Sequence, residues 1–434
     1  MKFSSTSTAR RRTVTIATAA TLAVGLLAGC SSGSGDADPE SDTVQWLTDA
    51  QDWTAKIEAV SPEIKDQTGV TVEPLTLPTT SNFIQTFLAS LPTDKVSDVA
   101  KWTSGKYMQA AAATGDLEDL TPIWDAAVAN GDLDDGLRPF FSHEGKVYGV
   151  PFTMSYWVMY YSKTLFEEAG ISGPPTTWAE LEDAAAKLKA IGAKTCTGQA
   201  DGWTPFIPFE MFVGAKSPEV YNELIENEVS FDDPQIEDAM SVWKEWIDNG
   251  WMTAPDQKFS DCPAGMKAGN VGMFPIGTWY NSSFEAAGLA EGDVGAFVVP
   301  SMEEGGSPAV FSEASAWVVP KNAPNKEAAL KAVAAWLTEP VQRIWSENNP
   351  DTSINPKIKS TDPIIMSIVE QVEEQQATKL IRYYEALPPK LVTSTVNSLG
   401  GFMVDPGSLE KTLSDMSTQA PPAWEQWEKS PSVG

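Results

Sequence analysis

Apolar and polar positions alternate along this chain in two rhythms, one of strands and one of helices. Val44-Gln-Trp-Leu reads as a short strand, after which Ile57, Val60 and Ile64 stand at helical spacing over 52–68, with Gly69 as a stop. Val70-Thr-Val-Glu-Pro is a second strand, 83–91 an amphipathic helix, and Val96-Ser-Asp-Val-Ala opens a third strand. Gly145-Lys-Val-Tyr-Gly-Val-Pro has the form of a tight hairpin feeding an extended run over 156–161. Thr177 with Glu180 three residues on forms a capping box for a helix over 179–191. Helical patterns return at 236–247, 328–337 and 364–373, with short apolar strands at 271–275 and 294–300. The polar C-terminal tail carries Trp424 and Trp427, and no internal repeat is visible. Strands alternating with helices predict an α/β fold, a parallel sheet covered on both faces. Ligands of such sheets bind at the carboxyl ends of the strands, which directs attention to the loops after Trp46 and Val99.

Length and charge narrow the class. At roughly 100–200 residues per domain, 434 residues make two to three domains, and 42% hydrophobic with 21% charged residues is ordinary for a soluble globular protein. Thirty basic against 59 acidic residues leave a net charge of −29, which removes nucleic acid from the partners. One histidine, His143, and three cysteines leave little from which to build a zinc, haem or iron–sulfur site, so neither metal nor cofactor is expected. No Gly-x-Ser-x-Gly, His-Glu-x-x-His or P-loop supports catalysis. Gly131-Asp-Leu-Asp-Asp-Gly136 has the acidic spacing of a calcium loop without its twelfth-position Glu and reads as a solvated turn. The outlier is tryptophan, with 16 copies.

Lys2, Arg10, Arg11 and Arg12 precede an uncharged run over 13–29, too short for the ~20 residues of a membrane span, that ends Leu27-Ala-Gly-Cys30. This resembles the lipobox of bacterial lipoproteins. The resemblance implies a signal peptide over 1–29, acylation of Cys30, a Ser/Gly/Asp-rich flexible tether over 30–43, and a mature protein at the outer face of the cell membrane, held by lipid alone. Cleavage removes four basic and no acidic residues, taking the charge from −29 to −33. The arginine pair leaves twin-arginine export open beside the general route. Outside a reducing compartment the two remaining cysteines, Cys196 and Cys262, are expected to pair; two buried free thiols are the alternative.

An ordered set of phrases spans nearly all of the mature chain: Ser97-Asp-Val-Ala-Lys-Trp102 with Gly115-Asp-Leu-Glu-Asp-Leu-Thr-Pro122, Lys146-Val-Tyr-Gly-Val-Pro-Phe152, Tyr160-Tyr-Ser-Lys-Thr-Leu-Phe166, Pro174-Pro-Thr-Thr-Trp178, Ala268-Gly-Asn-Val-Gly-Met-Phe274 leading to Gly277-Thr-Trp279, and Ala314-Ser-Ala-Trp-Val-Val-Pro320. Together they resemble the family-1, maltodextrin-type solute-binding proteins of ABC importers. The resemblance implies a two-lobed, periplasmic-binding-protein-like fold with discontinuous lobes, 44–153 with 314–350 and 154–313 with 351–434, hinged over a cleft. It also implies a monomer that captures a carbohydrate, an oligosaccharide first of all, and passes it to membrane permease subunits driven by a cytoplasmic ATPase.

A sugar offers a C–H face and many hydroxyls, so its site needs aromatic planes and fixed polar partners. Trp102 is similar in position to a binding tryptophan of that family, Trp203 lies where the family often places a stacking aromatic, and Trp279 matches its Gly-x-Trp phrase. Trp46, Asp49 and Gln51 after the first strand, Asp98 of the third strand as either a ligand acceptor or a cap of the strand's end, Tyr156, Trp157 and Glu313 near the interlobe crossovers, and Arg382 and Tyr384 in a late segment complete the candidate set. Trp178, Trp243, Trp246, Trp251, Trp336 and Trp345 are assigned to the core. Where the maltodextrin type carries charged contacts this chain has Gly105, Lys106 and Ser155, which argues against maltodextrin while keeping a carbohydrate site. A non-sugar solute such as a polyamine, glycerol-phosphate or metal chelate, and a surface-anchored glycan hydrolase, are the alternatives.

Overall fold

A computed structural model describes residues 42–49, 53–77, 80–290 and 292–432. The signal segment, Cys30, most of the tether and Gln51 lie outside the described residues. In chain order the strands are β1 (Thr43–Thr48), β2 (Thr71–Thr76), β3 (Val99–Thr103), β4 (Ser142–His143), β5 (Lys146–Val147), β6 (Val150–Ser162), β7 (Lys194–Thr195), β8 (Val271–Gly277), β9 (Val294–Phe297), β10 (Ala309–Val318) and β11 (Thr378–Ile381). Nine of them form one sheet, in the order β2-β1-β3-β10-β6-β8-β7, with β11 added to β10 and β9 to β6.

The sheet is parallel only in part, which corrects the expectation of a wholly parallel one. β1 pairs parallel with β2 and β3, but β10 runs antiparallel to both β3 and β6, and β6 antiparallel to β8 and β9. The cause is two long apolar strands, β6 of 13 and β10 of 10 residues, that pair with each other in opposite directions and each serve two neighbourhoods.

Two separate apolar clusters hold the molecule. The first gathers 44–152 with 314–354, around Trp46, Trp124, Trp317 and Trp336; the second gathers 156–311 with 368–427, around Trp243, Trp246, Tyr221 and Tyr383, and takes in Tyr107 and Ala110 as well. The chain passes between them three times: in β6 between Phe152 and Tyr156, in β10 between Phe311 and Ala314, and between Ile354 and Ile368. Glu313 pairs with Ser155 and Ser315 with Thr153 at these crossings, and Thr352 bridges to Met154.

Local chemistry explains most element boundaries. The helix Trp53–Thr68 ends at Gly69, whose φ of 81° suits a residue without Cβ and whose N–H returns to the Lys65 carbonyl. The helix Trp178–Ala190 begins with the capping box of Thr177 and Glu180, both halves formed. His143 sits in the β4–β5 hairpin, whose turn uses positive φ at Glu144 and Gly145. Cys196 and Cys262 form a disulfide within the second cluster. Eleven of the seventeen described α-helices escape the sequence pattern, and the three longest of these differ in kind. Phe206–Lys216 is buried almost all round, so its apolar residues carry no helical stripe; Pro389–Val404 and Leu409–Lys429 follow late, the last through Pro421 and Pro422. No described helix is long and apolar enough to cross a membrane.

Candidate ligand-binding cleft

The strand register decides which side chains reach the space between the clusters. Along β3, Lys101 and Thr103 turn to the cleft and Trp102 to the opposite side; along β6, Thr153 and Ser155 turn to it and Tyr156 away; along β10, Glu313 and Ser315 turn to it. These polar residues, set in otherwise apolar strands, form the floor. Asp49, at the end of β1, and Trp53 and Ile84 make the wall on the first cluster's side. Trp203, Phe206, Phe259, Trp279, Tyr280, Ser283, Arg382 and Tyr384 make the wall on the second's. The cleft volume is about 370 Å³.

The aromatic wall is continuous. Trp157 lies beneath it, with ring centroids 6.4 Å from Trp203 and 6.5 Å from Trp279, and Trp203 meets Phe259 at 5.0 Å and Phe206 at 5.8 Å. A Cβ on Gly277 would stand 2.2 Å from Nε1 of Trp279, so glycine there lets the indole lie back over the end of β8. The indole N–H is thereby buried with no acceptor among the described residues, and what the ring can present to a ligand is its plane.

The charged side chains described in the cleft are paired within the protein. Lys101 Nζ is 2.8 Å from Asp49 Oδ1 and 4.9 Å from the ring centre of Trp53. Arg382 donates through Nη1 to Glu313 at 2.9 Å, through Nε to Glu385 at 2.6 Å and through Nη2 to the same carboxylate, while Trp157 Nε1 also donates to Glu313 at 3.1 Å. Burial works against the guanidinium's charge, but Glu313 and Glu385 outweigh it and hold its pKa above the ordinary value. Its face is covered by Trp157, Phe206 and Tyr384. Burial pushes the Glu385 carboxyl up and Arg382 draws it back. Glu210, behind this group, is buried outright; its pKa is driven well up, and one oxygen accepts the Tyr383 N–H at 3.0 Å.

Of the sequence candidates, Asp49, Ser155, Trp203, Trp279, Glu313, Arg382 and Tyr384 line the cleft, and Trp157 supports it from below. Four candidates lie elsewhere, which corrects their placement. Trp102 is buried against Phe83 and Phe87, its N–H satisfied by the Tyr107 carbonyl. Trp46 is fully buried against Trp317 and Trp336. Tyr156 is buried on the face of β6 away from the cleft, under Lys379. Asp98 accepts from the Gln45 and Asn325 N–H groups and from the Asn325 amide, a structural tie between β1 and the loop before the helix Lys326–Trp336. Trp53, Lys101, Thr103, Thr153, Phe206, Phe259 and Tyr280 were not read from the sequence. Polar residues alternating within an apolar strand were the available signal for Lys101, Thr103 and Thr153; Phe206 and Phe259 carried none.

Two apolar cores joined by crossing strands, with a cleft between them, define a two-lobed solute-binding protein. The chain belongs to the bacterial extracellular solute-binding protein family, whose sequence profile matches residues 59–368. A binding protein of Brucella abortus is 24% identical over 291 residues, covering 64% of this chain and 68% of the relative. The bacterial solute receptor AcbH, described as exclusive for β-D-galactopyranose, superposes with a TM-score of 0.76 at 18% identity over 88% of this chain and 98% of its own. UgpB of Mycobacterium tuberculosis, solved with glycerophosphocholine, gives 0.72 at 16% identity over 89% and 99%. At these identities the structural likeness carries the fold.

Proposed function

We propose that this protein is the lipid-anchored receptor of an ABC sugar importer: it closes over an uncharged carbohydrate between lobes 44–153 with 314–350 and 154–313 with 351–434, then hands it unchanged to the permease. The observation that carries this reading is the combination of a broad aromatic wall with charges already paired within the protein. Lys101 is held by Asp49, and Arg382 by Glu313 and Glu385. A ligand bringing its own charge would have to break one of those pairs, at the cost of leaving a buried partner unmatched. A polyol needs no such exchange: it takes hydrogen bonds from groups that stay neutralised and lays its C–H face on Trp203 or Trp279. The volume of about 370 Å³ stands near the lower end of the ~300–1,000 Å³ usual for ligand pockets, which favours a short saccharide over a long chain. Asp49 and Glu313 are each engaged by a cation, so neither is placed as a free acid or nucleophile, which supports capture without hydrolysis.

The glycerophosphodiester bound by the mycobacterial neighbour motivates a second reading, in which Lys101 and Arg382 meet a phosphate. Two carboxylates on Arg382 argue against it. A thermal-shift panel of neutral mono- and oligosaccharides, with glycerophosphocholine and spermidine beside them and chromatography for products, tests the choice. Stabilisation by a neutral sugar with no product is expected; stabilisation by the charged solutes alone, or steady product release, would overturn it.

A further inference from the structure

Asp351 follows the helix Glu339–Asn348 and adjoins the bridge from Thr352 to Met154 of β6. Its side chain is buried directly behind the cleft floor and meets four donors. Oδ2 accepts from Ser155 Oγ and, at 3.2 Å, from Thr153 Oγ1; Oδ1 accepts from Thr278 Oγ1 at 2.6 Å and from the Thr352 N–H at 2.8 Å. Thr278 has its direction fixed, because its oxygen already takes the Tyr156 N–H at 3.1 Å. Ser155 and Thr153 belong to the cleft lining. A hydroxyl has one proton to give, and when a carboxylate takes it, lone pairs alone remain.

We propose that Asp351 is a positioning residue of the cleft: ionised, it takes the protons of Ser155 and Thr153 and fixes both oxygens as acceptors, so that the floor selects a ligand hydroxyl that donates. The proposal rests on the reading of the cleft as a polyol site. The same arrangement is sensitive to acid. Burial pushes the Asp351 carboxyl up to about 6, against the pull of Ser155, Thr278, Thr352 and Thr153. Of the titratable groups, Tyr160 of β6, kept neutral by burial, feels the charges of Asp351 and Asp362, and the ion pairs Lys101–Asp49 and Arg382–Glu313 line the same cleft as Ser155 and Thr153. A protonated Asp351 must donate, and one floor hydroxyl then turns its own proton toward the ligand. Asp351→Asn makes that reversal permanent. Its amide nitrogen cannot face the Thr352 N–H, so it takes the Oδ2 side and donates to Ser155 and Thr153.

The test compares wild type, Asp351→Asn, Ser155→Ala and the double variant between pH 4.5 and 7.5, by thermal unfolding without ligand and by calorimetry with D-galactose, raffinose and xylobiose. Removing a buried ionised group should leave Asp351→Asn at least as stable as wild type at pH 7.5, with its advantage growing as pH rises through 4 to 6. Binding of the sugar that wild type takes should weaken about tenfold in Asp351→Asn, the effect of one mis-set hydrogen bond in a buried site. It should lose its dependence on pH, weaken comparably in Ser155→Ala, and fall no further in the double variant. Unchanged affinity, coincident pH profiles, additive losses, or an Asn variant less stable at pH 7.5 with no trend in pH would overturn the proposal. If none of the three sugars binds wild type, the polyol reading loses its support, whereas the unfolding arm still decides whether Asp351 is a buried ion.

Discussion

Gly277→Ala isolates the aromatic wall from the rest of the protein. The backbone at 277 has φ −66° and ψ 149°, open to any residue, so the substitution acts through space alone. The new Cβ would meet Nε1 of Trp279 at 2.2 Å and its Cδ1 at 2.5 Å, with Trp157 Nε1 at 3.3 Å. Ordinary contact needs ~3.5 Å, so the Trp279 indole must withdraw by roughly 1.3 Å. Trp279 is only part-buried and has the cleft to move into, so the fold should lose no more than the ~1–3 kcal/mol of an overpacked site. A sugar ring stacked on that plane loses its support. For a desolvated hot-spot aromatic the loss is about 2 kcal/mol or more, near thirtyfold in affinity. Calorimetry with the sugar identified by the panel reads it, and Trp279→Ala should give a similar loss, with no further loss in the double variant. An alanine variant that binds within about threefold of wild type would refute the placement of Trp279 under the ligand.

Other consequences are as direct. Replacing Cys196 and Cys262 by Ala removes a crosslink spanning 66 residues and should cost about 4 kcal/mol in chain-entropy terms; urea unfolding measures it, and a change below about 1 kcal/mol would contradict that account. Glu210→Gln imitates the neutral acid that burial enforces and keeps an acceptor for the Tyr383 N–H. Because the native carboxyl holds its proton above the ordinary value of 4.5, wild-type stability should fall with rising pH by up to ~1.4 kcal/mol per unit relative to the variant; parallel curves from pH 4.5 to 7.5 would exclude it. Lys106 lies 5.2 Å from the Trp424 ring and 5.8 Å from Trp427, while Tyr107 stacks on Tyr384 at 4.8 Å, so the helix Gly105–Ala113, which follows β3, latches onto the second apolar cluster. Lys106→Ala should weaken that closure by ~0.5–1 kcal/mol and enlarge the ligand-free radius of gyration in small-angle scattering; an unchanged radius would refute the latch.

Several elements with one apolar and one wet face were legible in the sequence, although Leu409–Lys429, which buries Leu413, Met416, Ala420, Trp424 and Trp427 at helical spacing, was not among them. Trp53–Thr68, Trp178–Ala190 and Pro234–Asp248 all follow their patterns, and the capping box at Thr177 formed as read. Phe206–Lys216 was hidden because burial on every side erases the stripe. The site divided along the same line. Trp203 and Trp279 stand in turns, where exposure could be read from neighbouring glycines; Trp46, Trp102 and Tyr156 stand in strands, where one step of register decides between core and cleft. At Trp102 that step favoured its neighbours Lys101 and Thr103. Asp351 was invisible for another reason: its partners Thr153, Ser155 and Thr278 lie 73 to 198 residues away and meet only at the crossing of the lobes.

A neutral sugar gripped between aromatic planes and internally paired charges should be visible as such in the bound state. A crystal structure of the protein with the saccharide that stabilises it most would decide it. The expected result is a ring lying on Trp279 or Trp203, hydroxyls reaching the cleft floor, and both the Lys101–Asp49 and Arg382–Glu313 pairs intact. A sugar bound outside this cleft, or bound only after one of those pairs has parted, would contradict it.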